Sequence, residues 1–391
     1  MTPEQFTEAA PGRLVEATDA LGNQGHAFVP ASLPPARDFG ARQLRLALSE
    51  ADQALARLGG MAREIERPDL LFRNFLRREA VLSSKIEGTH TTLADLIIFE
   101  AANSAEPEKR KDDEIVANYL AAFDYGRDRC GDLPIGRRLL SEMHEILMRG
   151  ADAREKTPGV IRDCLVVIGK PPLQNARFVP PPELFVPELL ENLDVYLQDY
   201  KEPLLLKLAV AHYQFETIHP FRDGNGRLGR LLIALALERA GVLTGPLLYL
   251  SVYLESHRDE YYDLLLDVST QGHWEEWIEF FLRGVRTQAV DATARTSRLS
   301  DLRKRYHERL TGPRTTQNVH RLIDALFQIP AISVPIARDL LGVKYPSAKA
   351  LIDRLVEAGI LDAETIVVSG TSFYVANNII HAIESPIEQG E

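Results

Sequence analysis

Over most of the chain apolar residues return every three or four positions, the spacing of helices with one buried face. The pattern starts near Ala41 and runs to Glu66, with a break expected at Gly59-Gly60. A second helix opens after Pro68, covers 69–85 and stops at Gly88, a residue suited to the left-handed stop of a helix. Further amphipathic stretches cover 92–102, 114–129, 137–147 and 182–200. The stretch 201–217 differs: Leu204, Leu205, Leu206, Leu208, Ala209 and Val210 are apolar nearly all round, which predicts a buried central helix with His212 as a core residue. Residues 231–240 are strongly helix-forming, and Trp274, Trp277, Phe280 and Phe281 fall at helical spacing on another core face. Beyond Gln288 that helix turns polar, as a spacer towards Leu310 would.

The period changes twice. Pro158-Gly159 is a turn, Leu165-Val166-Val167-Ile168 is a β-branched run, and Gly169-Lys170-Pro171-Pro172 breaks it, so 157–179 reads as a β-hairpin. After Thr315 three helices (318–327, 333–341, 345–358) precede an alternating stretch, 361–375, that turns at Ser369-Gly370. Residues 1–40 are rich in Pro, Gly and Ala without period and read as an arm over the surface; 106–113 is a charged, solvated connector. The expected fold is mainly α, a helical bundle carrying a β-hairpin, followed by a small α+β domain. The boundaries expected are 1–110 for an N-terminal helical region, 111–290 for a central core, 291–314 for a linker helix and 315–391 for the last domain.

Composition narrows the function. At 45% apolar and 26% charged the 391-residue chain is ordinary globular material, and its net charge of −11 argues against general affinity for nucleic acid or membrane. Cys130 and Cys164 are far apart and form no metal or redox pattern. Met1-Thr2-Pro3-Glu4-Gln5 has no signal-peptide character and no apolar run approaches a membrane span, so a cytoplasmic location is expected.

The chemistry concentrates in His219-Pro220-Phe221-Arg222-Asp223-Gly224-Asn225-Gly226-Arg227-Leu228-Gly229-Arg230, a loop between two helical stretches. A loop that feeds a helix N-terminus is an anion site, because its amides are unsatisfied and the dipole favours negative charge. Gly224 and Gly226 allow close approach of a ligand to the backbone. Arg227 and Arg230, three apart, share a helix face and suit a polyphosphate. Asp223 is a carboxylate suited to Mg²⁺. His219 is an imidazole that is neutral and basic near pH 7.

This run resembles the signature of the Fic (filamentation induced by cyclic AMP) family, HPFx[DE]GNGRxxR, and fills every position of it. The resemblance implies a Fic-type helical bundle that transfers AMP from ATP to a hydroxyl of a protein, with the hairpin as a flap. It implies His219 as the base, Asp223 as the ligand of Mg²⁺ or Mn²⁺, and Gly224, Asn225, Gly226, Leu228 and Gly229 as the nucleotide cradle. Arg227 and Arg230 would grip the outer phosphates, Phe221 would anchor the loop and Pro220 would stiffen it. Ile168 and Gly169 of the flap would touch nucleotide or target, and Tyr261 would lie near the adenine or ribose. Ser83-Ser84-Lys85-Ile86-Glu87-Gly88 resembles the family's inhibitory motif [ST]xxxE[GN], which implies that Ser83, Glu87 and Gly88 form a brake in which Glu87 pairs with Arg230. The gap-free signature favours AMP transfer over the phosphate transfer of the related Doc toxins. The partners implied are a protein substrate and the chain itself, with a homodimer open.

Helix–helix–helix–hairpin at the end of the chain resembles a winged helix, with Lys344, Lys349 and Arg354 on its third helix. From Gly312 onward six basic residues face nine acidic ones, which favours protein docking or dimerisation over DNA. Two alternatives stay open: a transcription regulator that senses nucleotide, and a Fic enzyme that removes AMP.

Overall fold

The computed structural model describes residues 2–65, 67, 69–102, 111–150, 153–198, 201–312 and 316–385. The chain begins with β1 (Gly12–Thr18) and β2 (Gln24–Pro30), then α1 (Arg42–Glu64), α2 (Asp69–Ile86), α3 (Leu93–Ala102), α4 (Lys111–Arg129), α5 (Arg137–Leu147) and α6 (Ala153–Lys156). Short strands β3 (Ile168–Gly169) and β4 (Ala176–Phe178) follow, then α7 (Val186–Gln198), α8 (Leu204–Ile218), α9 (Asn225–Arg239), α10 (Ser251–Ser256), α11 (Arg258–Gln271) and α12 (Trp274–Arg309). The last stretch holds α13 (Gln317–Gln328), β5 (Ala331–Ile332), α14 (Val334–Leu341), α15 (Tyr345–Glu357), β6 (Thr365–Val368), β7 (Thr371–Val375) and α16 (Asn377–Glu384). The mainly helical expectation holds, and no helix among the described residues is long and apolar enough to cross a membrane.

The chain divides into two compact units that are not consecutive in sequence: residues up to 55 with 118–242 and 250–288, and residues 56–117 with 243–249 and 289–391. In the first unit α8 is buried along its length, as its all-round apolar sequence requires, and α7, α9 and β2 pack on it. The expected surface arm is instead an antiparallel hairpin, with Gly12 opposite Pro30 and Thr18 opposite Gln24. Asp19 makes its turn by accepting the amides of Leu21 and Asn23. Ala27 of β2 joins Leu173, Ala176 and Val179 in a small core beneath the β3–β4 hairpin, and Phe28 N–H donates to Val179 O. That hairpin is shorter than expected: of the β-branched run only Ile168 pairs with β4, joined by Gly169, and the register shifts between the two.

In the second unit α2 rests on α13 and α16 and beside α3. Asn74 Nδ2 donates to Phe327 O at 2.5 Å. Arg77, 1% exposed, donates to Gln328 O, to Asn74 Oδ1 and to Glu100. These carbonyls end α13, where a cation is favourably placed. Residues 331–375 form a three-stranded antiparallel sheet, order β5-β7-β6, beside the helix pair α14–α15. The three helices and terminal hairpin match the pattern read from the sequence; β5 and α16 were not read.

The expected break in the first helix needs correction. Gly59-Gly60 does not break α1; the helix runs through both, and a Cβ on Gly60 would meet nothing within 4 Å, so that glycine weakens the helix without a packing reason. The polar spacer is the second half of α12, one 36-residue helix from Trp274 to Arg309, as the continuous pattern predicts. Within the charged connector residues 106–110, and within the last domain residues 315 and 386–391, lie outside the described residues, as do 313 and 314 of the expected spacer.

Candidate active site

The signature run folds as a sharp link between α8 and α9. His219 caps α8 in the left-handed region, φ 49° and ψ 61°, uncommon for a residue with a Cβ and a mark of functional sites. The next helix starts at Asn225, six residues before the expected start at Leu231, so Arg227 and Arg230 lie in its first two turns. Gly224 is its N-cap at φ 79°, and a Cβ there would sit 2.5 Å from Met148 Sδ, so the position needs glycine twice over. Asn225 staples the loop: its Oδ1 accepts Phe221 N–H and its Nδ2 donates to Phe221 O, both at 2.9 Å.

Glu216 O lies 3.2 Å from His219 Nδ1. A carbonyl can only accept, so Nδ1 carries the proton and Nε2 is the basic nitrogen of the neutral ring. Asp223 Oδ1 accepts Gly224 N–H at 2.6 Å and lies 3.7 Å from Arg227 Nη2, while Oδ2 is 2.7 Å from Lys156 Nζ. Burial pulls the Asp223 carboxyl up, but Lys156, Arg227 and the Gly224 amide outweigh it and hold it below the ordinary carboxylate range. Among the described residues no cluster of three or more His, Cys, Asp or Glu could hold a metal alone. An ionised, partly exposed carboxylate beside a helix N-terminus fits a cation that takes most of its ligands from water and phosphate, as Mg²⁺ does.

Behind the loop stand three braces. Arg162, 3% exposed, donates to His219 O (2.8 Å), Cys164 O (2.9 Å), Pro181 O (2.6 Å) and Ile218 O (3.2 Å), and its amide donates to Pro220 O. One guanidinium thus satisfies the carbonyls on both sides of the left-handed turn; burial lowers its pKa to about 10, which leaves it charged. His144 of α5 is fully buried and lies flat on Phe221, ring centroids 3.8 Å apart. Its Nδ1 accepts Gly159 N–H at 2.8 Å and its Nε2–H donates to Asp223 O at 2.9 Å, so it joins the turn before the flap to the active loop. Burial drives its pKa down to about 4. The third brace is Tyr261, 1% exposed. His212 Nδ1–H donates to Gly229 O, so the Tyr261 hydroxyl donates to Nε2 at 2.8 Å. Burial first, then the Arg230 charge, pushes His212 down to about 3.

The structure therefore gathers His219, Asp223, Gly224, Asn225, Gly226, Arg227 and Arg230 on one loop and helix start. Leu228 is fully buried, and Gly229 lets α9 approach α8, since a Cβ there would sit 2.3 Å from Glu216 Oε1. Tyr261, expected near adenine or ribose, is placed in the core against His212. Ile168 and Gly169 form β3, but it is the segment ahead of them that meets the loop, through Arg162 and through Asp163, paired with Arg222 at 2.6 Å. Ser83, Glu87 and Gly88 belong to the second unit: Ser83 is buried, Glu87 is exposed just past α2, and Gly88 takes φ 97° as the stop. Lys156 and His144 were missed by sequence reading. A lone lysine and a lone histidine carry no spacing signal, and only the fold shows both ending on Asp223.

With this geometry in view, the likenesses are informative. Residues 45–128 match the Fic/DOC family N-terminal region, and residues 134–237 match the Fic/DOC family itself. The chain is 33% identical over 110 residues to a probable protein adenylyltransferase of Aquifex aeolicus, covering 28% of this chain and 32% of that protein. It is 36% identical over 104 residues to the protein adenylyltransferase fic-1 of Caenorhabditis elegans, covering 26% of this chain and 18% of that one. The chain thus spans less than a third of either curated relative. A crystal structure of a Fic family protein from Desulfovibrio desulfuricans G20 shares the fold over 88% of this chain and 98% of its own, with TM-score 0.57 and 22% identity. The complete signature, the seat built around it and the two adjoining family matches lead to one conclusion: residues 45–128 and 134–237 of this chain carry the N-terminal and Fic domains of the Fic/DOC family.

Proposed function

We propose that the chain is a protein adenylyltransferase that moves AMP from ATP to a Ser, Thr or Tyr hydroxyl of a protein partner or of itself, restrained by Glu87. The observation that carries this reading is the fixed juxtaposition of a basic imidazole nitrogen on His219 with a helix N-terminus holding Arg227 and Arg230. In it His219 Nε2 takes the proton of the attacking hydroxyl, and the Nδ1–H bond to Glu216 O keeps that tautomer. Gly224, Asn225 and Gly226 present amides to the phosphates, and the two arginines neutralise their charge. The names of the relatives support AMP as the transferred group. Asp223 would hold Mg²⁺, which would supply neutralisation of phosphate charge. Positioning and charge do most of the work in such transfers. Glu87 acts as the brake by competing for Arg230, a role that rests on the [ST]xxxE[GN] resemblance. The C-terminal helices and hairpin serve as a winged-helix-like docking module for protein.

The test is transfer of label from α-labelled ATP with Mg²⁺ or Mn²⁺. Glu87→Gly is expected to label itself or a partner more strongly than the wild type, and His219→Ala not at all while still binding ATP. Equal labelling by the wild type and Glu87→Gly would remove the brake; label on the His219→Ala form would remove the base.

A further inference from the structure

Asp223 already has a cation on the oxygen a metal would need. Its Oδ1 is engaged by the Gly224 amide and faces Arg227, while Oδ2 meets Lys156 Nζ at 2.7 Å. Both side chains keep some solvent access, Lys156 at 30% and Asp223 at 43%, so the ammonium can leave the carboxylate for water. The backbone aims Lys156 there. Thr157, the next residue, is one of three described non-glycine residues with positive φ, at 46°, and its buried Oγ1 has no hydrogen-bond partner. Gly159, two residues on, is tied to His144 Nδ1, and the same ring holds Asp223 O. One buried imidazole therefore fixes both ends of the Lys156–Asp223 pair. Strain at Thr157 with no compensating hydrogen bond is what a functional position shows.

We propose that Lys156 is a built-in countercation that fills the metal seat of Asp223 when no metal is bound and must be displaced for Mg²⁺ to enter. The inference rests on the reading of Asp223 as the metal ligand given above. A lysine supplies one positive charge from a tethered monovalent ammonium, whereas Mg²⁺ must be captured from solution and gives up its water reluctantly. The lysine keeps the seat shaped and ionised while it waits, and it sets how much metal is needed.

Mn²⁺ alone is titrated into the full chain without nucleotide and followed by water-proton relaxation. Lys156→Gln is expected to lower the half-saturating Mn²⁺ concentration about five-fold, the size expected for a partly exposed ion pair, and Lys156→Arg, which keeps the charge, to stay near wild type. Asp223→Asn is expected to abolish the site. A fluorescent ATP analogue without metal should bind Lys156→Gln as tightly as wild type. Unchanged or weaker Mn²⁺ binding by Lys156→Gln, with Asp223→Asn still losing it, overturns the countercation role alone. Weaker metal-free nucleotide binding by Lys156→Gln would make the lysine a phosphate ligand instead. Mn²⁺ binding that survives Asp223→Asn overturns the metal seat and this inference together.

Discussion

His144 offers the most quantitative prediction. It is fully buried, its Nδ1 must accept Gly159 N–H, and its Nε2–H must donate to Asp223 O, so only the neutral ring satisfies both bonds. Burial lowers its pKa from 6.5 to about 4, with Arg227 nearby adding to the depression and the Asp223 carbonyl and carboxylate opposing it. At about 1.4 kcal/mol per pH unit, that shift is worth roughly 3 kcal/mol. The unfolded chain binds the proton first as pH falls, so this contribution is complete above about pH 6.5. It drains away as pH drops through the window down to about 4. His212, lowered to about 3, loses stability in the same direction, so a variant is needed to isolate His144. The two tryptophans, Trp274 and Trp277, both lie in the first unit, so their fluorescence reports its unfolding. Between pH 6.5 and 4.5 wild-type stability should fall by roughly 2.5 kcal/mol more than that of His144→Gln, which cannot take up the proton. An NMR titration of ring-labelled histidine should show one resonance, absent from His144→Gln, that titrates near pH 4. A resonance titrating near 6.5, or equal pH slopes in the two proteins, would refute the bracing role.

Other outcomes follow from single contacts. Asn225→Ala strands the N–H and C=O of buried Phe221, so unfolding by fluorescence should show a loss of about 2–3 kcal/mol. Gly224→Ala forces a Cβ into a left-handed N-cap and against Met148, and should weaken ATP-analogue binding at least about ten-fold, in line with the 1–2 kcal/mol of that conformation alone. Arg162→Lys replaces a fork serving four carbonyls by a point charge; labelling assays should show kcat reduced roughly 100-fold with the KM for ATP little changed, since the loss falls on the placing of His219. Arg77→Met leaves Glu100 and the end carbonyls of α13 short of a buried donor, and hydrogen exchange along α2 should speed up by the equivalent of about 3–5 kcal/mol.

The residues proposed to make the chemistry were legible because they are contiguous. His219 to Arg230 carry their meaning in local spacing, and so does the helix that delivers them, since an all-round apolar α8 can only be buried. What was hidden is held together across distance. The β1–β2 hairpin was masked by Pro, Gly and Ala, whose low β-propensity is overridden by packing of Ala27 on the β3–β4 core. The start of α9 was placed late because Gly224, Gly226 and Gly229 read as loop, whereas one glycine caps the helix and another admits α8. Lys156 and His144 meet Asp223 only after the chain has folded. Tyr261 fell at a suggestive spacing, but burial turned its hydroxyl to His212.

The helix that leads into Glu87, α2, has its seat on α13, far along the chain. Asn74 and Arg77 of α2 hang on the last carbonyls of α13, more than 250 positions away. No single cut keeps that helix supported while removing the C-terminal helices. A fragment stopped after residue 290 would retain the sequence of the signature loop but remove the carbonyls that Asn74 and Arg77 of α2 donate to. Residues 317–328 must therefore be synthesised before this helix acquires its final surroundings, and shortened forms should be compared with the full chain only after α2 has been shown to persist in them.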